Sequence, residues 1–406
     1  MLAILTTHPI QYQVPLWQAL AKARQVPFEV WYLSDHAIRK SFDSEFGQEF
    51  SWDLDMLSGY PHRFLKTNAN HDVTRFGRLR LAESLDDLSR TRNVKAIWVQ
   101  GWQVAAYWQA VWQVHAAGIP VWLRGESNDL AHTSLWKGAI KRAALGHLFS
   151  RIKNFLYIGS ANRRFYENFG VRQEQLYSTP YAVDNDRFAQ AADKLRSQRD
   201  EIRRGWKIPQ DSFCILFAGK FIPKKRPIDL VRAAANLQPG GRAKRIHLLF
   251  AGSGELGGEL RSRCSVAYDA ETQHSPLDRR GISVEENPTA SFTGFLNQTE
   301  ISRAYVAADC LILPSDSGET WGLVVNEAMA SSLPCAVSDQ CGCGEDLVRP
   351  IHGELCFRLG DLDGIGIALA RLSNEGVERQ RLKAQVDKYD FSVSVETVSR
   401  LYHNGS

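Results

Sequence analysis

The sequence has no long hydrophobic run, little net excess of either charge and few cysteines. No apolar stretch reaches the about 18 uncharged residues of a membrane-spanning helix, and the mean hydropathy is −0.29. Lys and Arg number 49 against 45 Asp and Glu, so we expect no nucleic-acid partner. The first eight residues lack a basic region and a small-residue cleavage site, and we interpret them as a strand rather than a signal peptide. These absences favour a cytoplasmic globular protein.

The seven cysteines are odd in number and all lie in the second half of the chain. Several stand inside apolar runs, as Cys310 does, which favours reduced, buried thiols over a disulfide framework. Cys341 and Cys343 have the spacing of a metal or redox pair, but no second pair of Cys or His stands at ligand spacing. We therefore expect a structural role for this pair and no metal site.

What the sequence does contain is an alternation of short apolar runs with helical patterns. The apolar runs predict strands at 2–5, 28–33, 96–99, 120–123, 155–159, 214–218, 246–251, 290–292, 310–313 and 334–337. The helical patterns lie at 14–23, 105–117, 161–169, 227–237, 299–308 and 323–332. Because parallel strands need crossover helices, the two series predict an α/β fold of two doubly wound Rossmann-like domains. We place these domains at 1–185 and 186–386, and we interpret the polar stretch 261–288 as a surface insertion.

The segment 317–330, Ser-Gly-Glu-Thr-Trp-Gly-Leu-Val-Val-Asn-Glu-Ala-Met-Ala, follows a predicted strand and opens a predicted helix. A strand-to-helix turn at the carboxyl edge of a parallel sheet is where α/β proteins bind ligands. Glu319, before the helix, can face a sugar, and Glu327, inside it, can accept hydrogen bonds from ribose hydroxyls. The helix begins with three residues whose backbone amides can hold a phosphate: Gly322, Leu323 and Val324.

A second candidate loop, Gly-Lys-Phe-Ile-Pro-Lys-Lys-Arg at 219–226, follows the strand predicted at 214–218. It places four cations within seven residues at the same edge of the sheet. Lysines such as Lys220 and Lys225 supply charge and hydrogen-bond donors to the negative charge that develops on a leaving phosphate. By itself such a loop is more often a solvated basic loop, but the phosphate-binding helix in the same half of the chain favours a diphosphate site.

At these residues the sequence resembles the retaining glycosyltransferases of the GT-B fold, specifically family 4 (glycosyl transferases group 1). Glu319 and Glu327 match the family's Glu-x7-Glu motif, and 219–225 matches its Gly-Arg-Leu-x3-Lys loop, with Lys220 replacing the usual Arg. The resemblance is specific over 205–350 and diffuse over the first 185 residues. It implies two Rossmann-like domains that face a central cleft, and a C-terminal segment, 387–406, that crosses back to the first domain.

The resemblance further implies transfer of a sugar from a nucleotide-diphosphate donor to an acceptor hydroxyl, with retention of the anomeric configuration and without metal or other cofactor. A UDP- or GDP-sugar is the donor that we expect. The implied catalytic residues are Glu319, which orients the donor sugar, and Lys220 and Lys225, which stabilise the departing diphosphate. The implied donor-binding residues are Gly219, Phe295, Gly322, Leu323, Val324 and Glu327.

The first domain would bind the acceptor, which is a saccharide, a lipid-linked molecule or a small metabolite. His8 and Gln11 follow the first predicted strand, where the family often has a glycine-rich loop. Family members commonly place a His, facing the donor sugar, after a middle strand of this domain. The corresponding stretch here has none, and Arg124 or Glu126 stands in its place. Trp102 follows a strand and can stack against an acceptor sugar.

Residues 136–153 carry five cations, no acid and an apolar pattern that predicts a basic amphipathic helix. Residues 1–185 contain 21 basic and 16 acidic side chains, a net +5, and the remainder contain 28 and 29, a net −1. Two alternatives stay open for this helix. It packs on the core with a charged outer face, or it makes peripheral contact with the inner face of a membrane.

Other functions need features that the sequence supplies only weakly. The stretch 252–257, Gly-Ser-Gly-Glu-Leu-Gly, resembles a dinucleotide fingerprint, but it lies mid-chain and no acidic residue ends a neighbouring strand, so we predict a glycine turn. An NAD-dependent oxidoreductase needs such a fingerprint after the first strand, and residues 6–12 do not provide one. A nucleotide-sugar binding protein without turnover and a GT-B epimerase or phosphorylase remain the alternatives to transfer.

Overall fold

A computed structural model describes residues 1–35, 41–43, 48–50, 55–68, 75–130, 135–237, 245–272 and 287–405. They divide into two compact units. The first contains the described residues of 1–41, 54–183 and 390–406, and the second those of 42–53 and 184–389. No helix among these residues combines the length and the hydropathy needed to cross a bilayer.

The strands of the described residues are short, and most are apolar. In chain order they are β1 (Leu2–Thr6), β2 (Phe28–Tyr32), β3 (Ser41–Asp43), β4 (Gln48–Phe50), β5 (His62–Phe64), β6 (Ala96–Val99), β7 (Val121–Leu123), β8 (Asn154–Tyr157), β9 (Leu176–Ser178), β10 (Phe213–Ala218), β11 (Ile246–Ala251), β12 (Ser265–Asp269), β13 (Thr289–Gly294), β14 (Cys310–Leu313), β15 (Cys335–Ser338) and β16 (Cys356–Phe357).

Helices connect most of these strands. They are α1 (Val14–Ala23), α2 (Leu85–Thr91), α3 (Ala105–Ala116), α4 (Leu135–Phe149), α5 (Ser160–Asn168), α6 (Asn185–Leu195), α7 (Arg199–Gly205), α8 (Pro227–Asn236), α9 (Gly257–Ser262), α10 (Ile301–Ala307), α11 (Leu323–Ala330), α12 (Leu362–Asn374), α13 (Arg379–Val386) and α14 (Phe391–Gly405).

The first unit is built on a parallel sheet of seven strands in the order β5-β2-β1-β6-β7-β8-β9. Every residue of β1 and β6 is buried, as expected for strands that helices cover on both faces. Trp17 of α1 packs edge-on against Trp98 of β6, with ring centroids 5.5 Å apart. Trp98 is fully buried and Trp108 and Trp112 are half-buried against the same core, in line with the predicted core role of the tryptophans.

The second unit repeats the architecture with the order β12-β13-β11-β10-β14-β15-β16, again parallel throughout. Its central strand β10 is buried at all six positions. At the amino edge of this sheet Arg203 bonds to Asp309 (2.7 Å) and to the carbonyls of Ala307 (2.8 Å) and Ser212 (3.3 Å). These bonds tie α7 to the starts of β10 and β14. The prediction of two doubly wound sheets is therefore confirmed.

Six strands were not predicted, and all are short or polar: β3, β4, β5, β9, β12 and β16. Strands at or near a sheet edge bury less surface, so their sequences lack a continuous apolar run. The prediction that 261–288 is a surface insertion is wrong for β12, which pairs with β13 at the edge of the second sheet. Residues 273–286 of that stretch lie outside the described residues.

Two helices of the first unit bear on the sequence predictions. Helix α4 ends at Phe149 rather than at 153, and Leu145, Leu148, Phe149 and Ile152 are buried while residues 139–144 are exposed. The C-terminal helix α14 packs on α1. There the ring of His403 is 3.0 Å from the carbonyl oxygen of Gln25. The last residues of the chain are thus part of the unit that its first residues begin.

Candidate functional site

The candidate site of the second unit lies at the strand β10, where the order in which the chain adds strands to the sheet changes from one side to the other. From β10 the chain runs to β11 on one side, and it returns to β14 on the other side. The loops 219–226 and 314–322 leave the carboxyl ends of these two neighbouring strands. In open α/β sheets, ligands bind at such a switch point.

Close backbone packing fixes the first of these loops. Gly219 and Gly252 have φ of +140° and +144°, and a Cβ on Gly252 would lie 2.0 Å from the carbonyl oxygen of Gly219. The amide of Phe221 donates to the carbonyl of Ser253 at 2.8 Å. Gly254 likewise packs on the backbone of Phe221. The glycines of 252–257 thus form a turn before α9, as predicted.

The second loop is held against the first. The amide of Asp316 donates to the carbonyl of Lys224 at 2.8 Å, and the amide of Glu319 donates to the carbonyl of Asp316 at 2.9 Å. These bonds bring the side chains of Lys225 and Glu319 into an ion pair in which 17% and 14% of the two side chains are exposed. The hydroxyl of Ser315 is 3.4 Å from the same Glu319 oxygen. The two predicted catalytic charges therefore meet at one edge of the sheet.

Helix α11 begins directly beside this ion pair. Gly322 has a φ of +101°, and a Cβ there would lie 2.9 Å from Leu313 and 3.6 Å from Glu319 Cγ. The first amides of a helix have no intrahelical acceptor and carry the positive end of its dipole. Leu323 and Val324, which supply two of these amides, are half-buried. The helix start that the sequence predicts to bind a phosphate and the lysine loop thus lie side by side.

The segment that contains Cys341 and Cys343 packs against the backbone of the second loop at Thr320 and Trp321. A Cβ on Gly342 would lie 1.9 Å from the carbonyl oxygen of Thr320, and the amide of Cys343 donates to the carbonyl of Trp321 at 3.0 Å. Burial raises the pKa of the Cys341 thiol to about 12. The thiols therefore act as packing groups, as the sequence predicted. Nowhere in the described part of the chain do three His, Cys, Asp or Glu side chains form a group that could hold a metal ion.

Glu327 is the most enclosed of the predicted donor-binding residues, with 3% of its surface exposed. Its carboxylate accepts hydrogen bonds from the Tyr305 hydroxyl and from Gln298 Nε2 (3.3 Å). Arg187 in turn donates to the side-chain oxygen of Gln298 at 2.6 Å. No sequence pattern indicated Tyr305, Gln298 or Arg187, because all three lie more than 20 residues from Glu327 along the chain.

The remaining predicted residues of this unit are near the same edge. Lys220 is half-buried one residue beyond Gly219, in the loop after β10. Phe295 is half-buried directly after β13, where Gly294 has a φ of +70°.

Comparison with known proteins identifies this unit. Residues 198–389 match the family model for glycosyl transferases group 1. The second unit is a group 1 glycosyltransferase domain. D-inositol 3-phosphate glycosyltransferase of Thermomonospora curvata is 28% identical over 240 residues, which are 59% of this chain and 53% of the relative. The chain thus spans about half the length of this curated relative.

Solved structures show the fold of the whole chain. A glycosyltransferase from Rickettsia africae is 12% identical, with a TM-score of 0.66 over 100% of this chain and 99% of its own. The Anabaena protein HepE, solved in complex with UDP, is 16% identical, with a TM-score of 0.65 over 99% of each chain. These likenesses confirm the predicted GT-B fold, in which the glycosyltransferase domain is the second of two Rossmann-like units.

The first unit precedes the glycosyltransferase domain and contains the residues predicted to contact an acceptor. Arg124 follows β7 and is 6% exposed, and its guanidinium lies 5.0 Å from the ring of Tyr181. The Tyr181 hydroxyl donates to Glu126 at 2.7 Å, and Glu126 is exposed. The two side chains that the sequence offers in place of the family's His thus contact one tyrosine.

The ring of Trp102, which the sequence predicts can stack against an acceptor sugar, is half-buried and packs against other aromatic rings. Its ring stacks on Phe165 at 5.9 Å between centroids and packs edge-on against Phe149. A Cβ on Gly125 would lie 2.0 Å from the same ring. The indole therefore packs against the hydrophobic core, in contact with aromatic residues of α4 and α5.

His8 and Gln11 lie between β1 and α1, and both are half-buried. The side-chain oxygen of Gln11 is buried and accepts no hydrogen bond from any described residue. Both residues thus lie at the carboxyl edge of the first sheet, as predicted.

Proposed function

We propose that this chain is a glycosyltransferase that moves a sugar from a nucleotide-diphosphate donor to an acceptor hydroxyl, with retention and without a metal or other cofactor. The observation that carries the proposal is the Lys225–Glu319 ion pair beside the start of α11. The match to the group 1 family supports transfer. HepE, solved with UDP and with UDP-glucose, supports a UDP-sugar, and a mycobacterial relative named as GDP-mannose-dependent keeps a GDP-sugar open.

In this proposal the charged groups act on the leaving diphosphate. Lys225, Lys220 and the first amides of α11 offer positive charge and hydrogen-bond donors to the oxygens on which negative charge develops. Glu319 accepts hydrogen bonds from the hydroxyls of the donor sugar, and it also holds Lys225 in place. The carboxylate of Glu327, which Tyr305 and Gln298 orient, accepts hydrogen bonds from the ribose hydroxyls.

The test is incubation of the purified chain with UDP-glucose, GDP-mannose and ADP-glucose and a broad panel of acceptors, with free nucleotide as the readout. We expect release with one donor, unchanged by EDTA, and a product that keeps the α-configuration in its anomeric proton coupling. Binding of a nucleotide without any release, in wild type and Glu319→Gln alike, would favour the binding-protein alternative. An inverted product would refute retention.

The proposed acceptor domain also offers a surface for peripheral contact with a membrane. In the first half of α4, Ile140 is 72% exposed and Lys141 and Arg142 are exposed beside it. Exposed apolar and basic side chains on one helix suit a bilayer with anionic lipid. We expect co-sedimentation with phosphatidylglycerol vesicles that Ile140→Asp with Lys141→Glu abolishes. Equal sedimentation with neutral vesicles would argue against this contact, and a cytoplasmic location stays a prediction.

A further inference from the structure

The first sheet has its own switch point, between β1 and β6. From β1 the chain runs to β2 on one side, and it later enters β6 on the other side. Gln100 and Arg124 are the residues that directly follow β6 and β7. The amide of Arg124 donates to the carbonyl of Val99 at 2.9 Å, so these two residues are neighbours across adjacent strands.

Arg124 is a buried charge without a hydrogen-bonding partner in the described part of the chain. With 6% of its surface exposed, its guanidinium forms neither a hydrogen bond nor an ion pair there, and its ring contact with Tyr181 satisfies none of its five N–H donors. Burial lowers the pKa of Arg124, although an arginine remains charged at neutral pH. A buried charge in this condition is costly unless something pairs with it.

Arg203 of the second unit shows how this chain treats a buried arginine that only supports the fold. Its side chain is 1% exposed, and its guanidinium bonds to Asp309 and to the carbonyls of Ala307 and Ser212. Arg124 has no comparable set of acceptors. The difference indicates that its acceptor is supplied from outside the fold.

The neighbouring groups leave this role open. Glu126 attracts Arg124 electrostatically, but it forms no ion pair with Arg124. Glu126 is exposed and accepts a hydrogen bond from the hydroxyl of Tyr181. Gln100 is 7% exposed, and its Nε2 is a buried donor without an acceptor among the described residues. The buried Gln100 amide and the largely buried Arg124 side chain thus belong to residues that are backbone neighbours at the carboxyl edge of the sheet.

We infer that Gln100 and Arg124 form an oxyanion subsite in the first unit, which takes a phosphate or carboxylate group of the acceptor. The planar guanidinium can bind two oxygens of such a group at once, and the Gln100 amide can bind a further oxygen. The inference rests on the proposed function, because it names the class of acceptor. Acceptors are then sugar phosphates or sugar acids rather than neutral sugars.

The binding test uses the full chain in an anion-poor buffer and measures thermal shift and calorimetric affinity. Glucose 6-phosphate, glucuronate and inorganic phosphate are the anionic probes, and glucose is the neutral one. We expect inorganic phosphate to stabilise the protein, and glucose to have no effect. We also expect stabilisation by glucose 6-phosphate or by glucuronate. The stronger of these two ligands shows whether the subsite takes a phosphate or a carboxylate group. Absence of any anion effect in the wild type would overturn the subsite.

Variants then locate the binding. Arg124→Gln should weaken the anion by ~10–100-fold, as expected for lost charge-assisted hydrogen bonds, and Arg124→Lys by less. Arg90→Gln is the matched control, since this arginine of the same unit is 74% exposed. Unchanged affinity in Arg124→Gln, or an equal loss in Arg90→Gln, would refute the assignment.

A stability measurement separates a ligand-binding arginine from a structural one. Without anion, Arg124→Met should melt at or above the wild-type temperature, because it removes an unpaired buried charge. A clear drop in melting temperature would show that Arg124 supports the fold and would overturn the subsite. If the anion binds but no donor is consumed, the proposed function fails and the subsite stands. If only neutral acceptors are glycosylated, the proposed function stands and the subsite is refuted.

Discussion

At the scale of single residues, the candidate site contains two charges that pair with each other. Lys225 and Glu319 come from different loops, and each is largely shielded from water. A lysine held in this way is preorganised, so it needs no rearrangement when charge develops on a leaving group. Its loss should therefore affect the chemical step more than donor binding.

We predict that Lys225→Ala lowers the transfer rate by about 10²-fold or more, the effect of removing one donor to developing negative charge. The measurement is kcat from the release of free nucleotide. The control is Arg232→Ala, which removes an exposed cation from the neighbouring α8. A wild-type rate in Lys225→Ala would remove the loop from the mechanism.

Glu319→Gln should separate binding from transfer. The amide keeps the size of the side chain but loses the charge that orients the sugar, so we expect a loss of at least about 10²-fold in transfer. Nucleotide affinity should stay near wild type, because the diphosphate contacts remain. Calorimetry with UDP and GDP checks this, and a collapse of affinity would show that the role assigned to Glu319 is wrong.

His247 should make the second unit sensitive to acid. Its ring is fully buried between the hydroxyls of Thr289 (3.0 Å) and Ser291 (2.9 Å), and burial, with the nearby Arg203 charge, lowers its pKa to about 4. Between pH 6.5 and 4 the unfolded chain binds a proton that the folded chain does not. Stability therefore falls with falling pH in this window, by at most about 1.4 kcal/mol per unit.

The variant His247→Gln should flatten this dependence in urea unfolding curves taken from pH 7 to 4. His115→Gln, which changes an exposed histidine, should leave the slope as it is. A slope that survives in His247→Gln would mean that other groups cause the loss of stability.

At the scale of elements, a buried carboxylate ties α11 to its neighbours. Glu327 of α11 accepts from Tyr305 of α10, and Gln298 links it to Arg187 of α6. We predict that Tyr305→Phe lowers the free energy of unfolding by about 1–3 kcal/mol, because it removes a donor from a buried charge. Denaturant unfolding measures this effect. Tyr268→Phe, a half-buried ring of the edge strand β12, is the control, and an equal change in both variants would contradict the prediction.

Elements with a strong local signal could be predicted from the sequence. Strands such as β6 and β14 were predicted to the residue, because continuous apolar runs mark strands that are covered on both faces. The edge strands were not predicted, because they are too short to show a continuous apolar run or an alternation of apolar and polar residues. The same limit applies to the site: the facing loops follow from topology, whereas the partners of Glu327 and the packing of Trp102 arise only in the tertiary fold.

At the scale of the whole molecule, similarity to known families is uneven along the chain. The family model covers 198–389 and stops short of the first unit. All nucleotide-diphosphate donors contain the same diphosphate group, so the charges that bind it are expected to vary little between proteins. Acceptors, in contrast, differ in shape and charge. The first unit is therefore where the specificity of this chain should be sought, and Arg124 is its most distinctive feature.

The last helix of the chain belongs to the first unit, and this assignment can be tested. Helix α14 follows the whole glycosyltransferase domain, yet it packs on α1 of the first unit. Val398 of α14 is fully buried, so Val398→Asp places an unpaired charge in that core, at a cost of several kcal/mol. We expect hydrogen exchange to accelerate in α1 and β9 while β10 and β14 stay protected, because each unit has its own core. Arg400→Asp, at an exposed position of the same helix, should change neither. Equal loss of protection in β10 would show that the second unit depends on the last helix for its stability.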